Sequence, residues 1–134
     1  MLYNNPLDNL TEDVLEDYLK KNLDLIEEGM RLINSQYLIE NGRLDILAKD
    51  KQGNYCVIEL KVTEDTDLIF QSVYYRLKIQ EKFNTESVRM ITVAPYYPSH
   101  IKESLKALNN VEMYVYNLKM NGNKITNLSI GKIA

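Results

Sequence analysis

The chain has 134 residues, 45% apolar and 26% charged, with five glycines, three prolines and a formal charge of −3. That is the composition of one soluble globular domain, taken as residues 1–134, and it excludes both a disordered chain and a global basic field for nucleic acid. No apolar run reaches membrane-spanning length and residues 1–9 lack the features of a signal peptide, so the expected location is the cytoplasm, with no membrane partner.

Asn9 or Thr11 caps a first helix that runs to about residue 22, with Leu10, Val14, Leu15, Tyr18 and Leu19 on one apolar face. Glu12 and Glu16 lie one turn apart on its flank. Residues 23–28 add a short helical turn ended by Gly29. Residues 30–39 read as a strand, and Asn41-Gly42 as a tight turn. Residues 43–49 and 54–62 are the next two strands, joined across Asp50-Lys51-Gln52-Gly53. A helix over 67–83, with a cap at Thr66, is expected to bury Leu68, Phe70, Val73 and Leu77. A buried strand over 87–94 follows, then a helix from Pro98 to about residue 109, and strands over 111–118 and 124–130. The order α-β-β-β-α-β-α-β-β predicts an α/β fold, a mixed sheet flanked by helices.

The hairpin over residues 42–61 concentrates the chemistry. A turn centred on Gln52 makes Asp45 and Glu59 face one another across an antiparallel ladder, with Cβ atoms about 5 Å apart. A turn that shifts the register by one would instead put them on opposite faces. Lys61 shares the face of Glu59, while Ile58, Leu60 and Val62 point into a core. Two such carboxylates repel unless one takes up a proton or a cation neutralises both. The single Cys56 and single His100 provide no soft ligand set, so a metal would be a hard ion such as Mg²⁺ or Mn²⁺, held by Asp45 and Glu59. Lys61, with a reference pKa of about 10.4, suits electrostatic stabilisation of a reacting phosphodiester better than general-base work. Tyr96 and Tyr97, ahead of Pro98, are candidate base-stacking residues.

Asp45, thirteen intervening residues, then Glu59-Leu60-Lys61 resembles the PD-(D/E)XK nuclease signature. More closely, Gly42-Arg43-Leu44-Asp45-Ile46-Leu47, Val57-Ile58-Glu59-Leu60-Lys61 and Gln71-Ser72-Val73-Tyr74-Tyr75 resemble the nuclease domain of the endonuclease NucS family. So do Glu12-Asp13-Val14-Leu15-Glu16, Gly29-Met30-Arg31-Leu32 and Val93-Ala94-Pro95, over roughly residues 10 to 118. The resemblance implies a restriction-endonuclease-like fold and a Mg²⁺- or Mn²⁺-dependent DNA endonuclease, acting in repair or on branched, mismatched or single-stranded DNA. It implies Asp45, Glu59 and Lys61 as the catalytic core, with Glu12, or less favourably Glu16, completing the acidic site and Gln71 supporting it. It also implies nucleic-acid contacts from Arg43, Tyr75, Arg76 and Lys78. Tyr74 stands where the family carries an arginine, for which Arg76 is the candidate substitute. The family also carries an N-terminal DNA-binding and dimerisation domain that is not read in residues 1–134, and a homodimer or a separate DNA-binding subunit is the expectation in its place. The alternative reading is a module that keeps the fold and binds nucleic acid or protein without turnover.

Overall fold

The structure is a computed structural model that describes residues 9–134; the reading of residues 1–8 as free of a signal peptide lies outside the described residues. Helix α1 (Glu12–Leu19) starts where Thr11 Oγ accepts the Val14 N–H at 3.2 Å, a cap that satisfies one of the helix's first free donors. A 3-10 turn at Leu23–Leu25 leads to Gly29, whose φ of +84° favours a residue without a Cβ. Strands β1 (Arg31–Ile39), β2 (Gly42–Lys49) and β3 (Tyr55–Leu60) follow, then α2 (Asp67–Lys82), β4 (Val88–Ala94), α3 (Ser99–Ala107), β5 (Val111–Asn121) and β6 (Lys124–Lys132). The element order matches the one expected from the sequence.

The six strands form one sheet in sequence order, β1 to β6. The first three pair antiparallel, β3, β4 and β5 pair parallel through the α2 and α3 crossovers, and β6 returns antiparallel on β5. Each face of the sheet closes its own core. On one face α1 packs Leu15 and Leu19 onto Ile46, Ile58, Leu60, Ile91 and Tyr116. On the other, α2 and α3 pack Leu68, Ile79, Ile101 and Leu105 onto Leu47, Val57, Met90 and Met113. Strands covered on both sides read as apolar runs, which is why β3 and β4 contain so few polar residues.

Two expectations are overturned. Leu68 is buried, but Phe70, Val73 and Leu77 are exposed, Phe70 at 61%. The face that α2 turns to the sheet is Leu68, Ser72, Tyr75 and Ile79. Ser72 can be buried there because its hydroxyl donates to the Leu68 carbonyl at 2.7 Å, which removes the cost of an unpaired polar group. The Thr66 cap is corrected too. Thr66 makes no capping bond, and it is Asp65 Oδ1 that accepts the Asp67 N–H at 2.9 Å. Among the described residues no helix is long and apolar enough to cross a membrane.

Candidate active site

The β2–β3 ladder pairs Lys49 with Tyr55, Ala48 with Cys56, Leu47 with Val57 and Ile46 with Ile58. The next pair in that register is Asp45 and Glu59, the facing arrangement anticipated from the turn. There the backbone ladder stops and side chains take over. Leu60 N–H donates to Asp45 Oδ2 at 2.8 Å, and Asp45 N–H donates to Glu59 Oε1 at 3.2 Å. Each carboxylate therefore caps the other strand's free donor. Leu44 packs on the α2 side and Ile46 on the α1 side.

Glu59 is 2% exposed. Burial, reinforced by the Asp45 carboxylate beside it, pushes the Glu59 carboxyl well above the ordinary glutamate value. Lys61, 6% exposed, follows directly on β3. Burial acts to lower its pKa, but its hydrogen bond and ion pair with Asp65 (3.2 Å) and the charges of Glu12 and Glu59 outweigh that and raise it. The ammonium stays charged, as an electrostatic role requires.

Two glutamates approach from α1. Glu12 is exposed at the first position of the helix; burial raises its pKa, Lys61 opposes and Asp45 adds to the rise. Glu16 is 6% exposed and accepts a short hydrogen bond from Gln36 Nε2. Burial raises the Glu16 pKa, Gln36 opposes this and Asp45 reinforces it. Gln36 adopts a left-handed φ of +52° within β1, at the position opposite Asp45. Both acidic residues thus feel Asp45, but Glu16 is committed to Gln36 while Glu12 is free to meet solvent.

From the other face α2 contributes Gln71, whose Oε1 is buried with no hydrogen-bond partner among the described residues, and Tyr75, which is buried against Gly42. Burial and the Glu59 charge raise the Tyr75 phenol. Arg43 is exposed on β2, next to this constellation. Arg76 and Lys78 are committed elsewhere. Arg76 Nη1 donates to the Asn110 carbonyl at 3.1 Å, just ahead of β5 and at the opposite end of the parallel strands from Glu59. Lys78 pairs with Glu40 at 3.6 Å and Glu81 at 3.8 Å, over the ring of Tyr74. Tyr97 is tied down, its hydroxyl bonded to Thr92 and to the Tyr114 carbonyl, whereas Tyr96 is exposed.

Among the described residues no three His, Cys, Asp or Glu side chains gather closely enough to cage a metal. A Mg²⁺-type site needs no such cage, since one or two carboxylates with waters and substrate phosphate suffice. Asp45 and Glu59 fit that requirement. Each holds one oxygen on a backbone N–H, and burial together with the Asp45 carboxylate opposes ionisation of Glu59, a conflict that a bound cation would relieve. Sequence reasoning missed two residues, Asp65 and Gln36. Asp65 stands one helical turn beyond Lys61 with cap chemistry ahead of α2, a signal that was available. Nothing in the sequence marks the left-handed turn at Gln36.

The model of the endonuclease NucS C-terminal domain matches residues 11–130. The endonuclease NucS of Methanocaldococcus jannaschii is 33% identical over 100 residues, covering 74% of this chain and 38% of that protein. A repair endonuclease from Pyrococcus abyssi superposes with a TM-score of 0.69 at 29% identity, over 84% of this chain and 47% of that one. An EndoMS–dsDNA2 complex superposes with a TM-score of 0.70 at 25% identity, over 84% and 45%. The α/β fold expected from the sequence is the one these structures share. The chain spans less than half the length of these relatives. A match over nearly all the described residues places the chain in the endonuclease NucS family, through that family's C-terminal domain.

Proposed function

We propose that this domain is a DNA endonuclease of the PD-(D/E)XK type that hydrolyses phosphodiester bonds in the cytoplasm, using Mg²⁺ or Mn²⁺ held by Asp45 and Glu59. The observation that carries the reading is the ladder's end, where two carboxylates meet across β2 and β3 with the Lys61 ammonium close enough to feel the Glu59 charge. The relatives support it, being named endonucleases, one of them solved with double-stranded DNA. Repair, on branched, mismatched or single-stranded DNA, is the context we assign, with the second DNA contact supplied by a homodimer or a separate DNA-binding subunit.

When bound, the ion supplies Lewis-acid polarisation of a phosphoryl oxygen and acidifies a water. The chain's own residues do the rest. Asp45 and Glu59 are held in place before any ligand arrives, each by a backbone N–H of the opposite strand. Lys61 brings a buried, persistently charged ammonium to the negative charge that develops on the phosphoryl group. Glu12 faces Lys61 and Asp45 from the solvent side, where it can orient the attacking water. Arg43, exposed on β2, meets the phosphate backbone, and Gln71 and Tyr75 wall the site from α2.

The test is nicking of branched, mismatched and single-stranded DNA with and without Mn²⁺. Asp45→Asn is expected to lose roughly 10²–10³-fold in rate. Equal cleavage by wild type and variant would overturn the reading. Salt-dependent DNA binding with no Mn²⁺-dependent cleavage would favour the non-catalytic module.

A further inference from the structure

Lys61 enters the site from a fixed start. Its N–H donates to the Val93 carbonyl at 2.9 Å, and its own carbonyl accepts the Tyr116 hydroxyl at 2.9 Å. The side chain beyond is long and has four rotatable bonds, so a fixed backbone alone does not place the ammonium. What holds the far end is Asp65. Its Oδ2 accepts Lys61 Nζ at 3.2 Å, and among the described residues it is the one carboxylate within ion-pair distance of that ammonium.

Asp65 is itself unusually well held for a residue with a 40% exposed side chain. Its other oxygen, Oδ1, caps the Asp67 N–H at 2.9 Å, and its carbonyl accepts the Leu68 N–H at 3.2 Å. One residue thus ties Lys61, directly after β3 and its Glu59, to the start of α2, which carries Gln71 and Tyr75. Glu12 and Glu59 are the competing attractions for the Lys61 charge. Without Asp65 the ammonium would turn to them and neutralise carboxylates that the site needs free.

We propose that Asp65 is a positioning residue, which fixes the Lys61 ammonium against the first turn of α2 and so sets the rate at which a bound phosphodiester is cut. The proposal rests on the endonuclease reading, and it adds a residue that the sequence signature does not contain.

Asp65→Asn is the informative variant. Asparagine caps a helix as well as aspartate does, so the start of α2 keeps its cap while the charge on Lys61's partner is removed. Asp65→Ser, also a good cap, guards against an effect peculiar to asparagine. In both, kcat on the best-cut DNA substrate is expected to fall about 10–100-fold with KM unchanged, the mark of a misplaced group rather than weakened binding. The second readout needs no turnover. The Lys61 ammonium signal in a ¹H–¹⁵N spectrum, identified by its disappearance in Lys61→Gln, should be present in wild type and broadened away in both Asp65 variants. An unmoved signal, or wild-type kcat in both variants, overturns the assignment. A wild-type protein that does not cut, but whose Lys61 signal depends on Asp65, leaves Asp65 as the residue that places the lysine and removes the endonuclease reading instead.

Discussion

Gly42 shows how a residue with no side chain of its own can be fixed by a neighbour at the site. A Cβ built there would lie 2.9 Å from Tyr75 Cε1 and 3.1 Å from the Tyr75 hydroxyl, closer than such atoms pack. The glycine is needed not for its own backbone angles but because Tyr75 must lie flat on the β1–β2 turn, with its hydroxyl at the backbone of Arg43. Gly42→Ala is therefore expected to destabilise by about 1–3 kcal/mol in urea titrations. In a Tyr75→Ala background the same change should cost far less, because the clash has been removed. Equal costs in the two backgrounds would mean that the tyrosine is not the reason for the glycine.

At the scale of elements, α2 is where the sequence misled. Phe70, Val73 and Leu77 recur at helical spacing and look like a core stripe, yet they face outward. The helix is set instead by Tyr75 and Ser72, whose polar atoms are satisfied at the sheet edge and within the helix, so that neither is expensive to bury. Val73→Gln should accordingly change stability by no more than about 0.5 kcal/mol. Ile79→Ala should cost about 2–4 kcal/mol, both read from denaturant midpoints. The reverse ranking would show that the helix is rotated. The hairpin was legible for the opposite reason. Strand alternation has a period of two, so a turn centred on Gln52 pairs Asp45 with Glu59, and the ladder takes that register rather than the one shifted by a residue. The helix cap was harder, because Asp65 and Thr66 are adjacent and both have capping side chains; it is the fold that gives Asp65 a second bond, to Lys61.

For the whole molecule, the end of the parallel strands opposite the carboxylates is held by Arg89. Its guanidinium donates to both oxygens of Glu112, at 2.8 and 2.7 Å, to Glu27 at 2.8 Å and to Asp50 at 3.1 Å. The bonds join β4, β5, the β2–β3 turn and the segment before β1. Burial works against ionisation of Asp50 and Glu112. The Asn54 and Arg89 bonds to Asp50, and those of Arg89 and Lys132 to Glu112, more than offset it and leave both pKa values depressed. A depressed folded pKa contributes stability that is present above the unfolded value, near 4, and is lost as pH falls through the folded one. Arg89→Met should cost about 3 kcal/mol at neutral pH, since it strands the buried Asp50, and should flatten the loss of stability below about pH 4. Melting curves across that range, wild type against variant, decide it.

The exchange of bonds where the ladder stops carries one more consequence, for how any variant of the site is interpreted. Asp45 and Glu59 are stitches in the sheet as well as acids, each the acceptor for a backbone amide of the opposite strand. Alanine at either position removes the acid and drops the stitch together, so a dead alanine variant confounds lost chemistry with an unravelled strand end. Asparagine and glutamine retain an acceptor oxygen in the same place. The isosteric pair is the clean instrument, and the gap between amide and alanine variants measures how much of the apparent catalytic loss is really masonry.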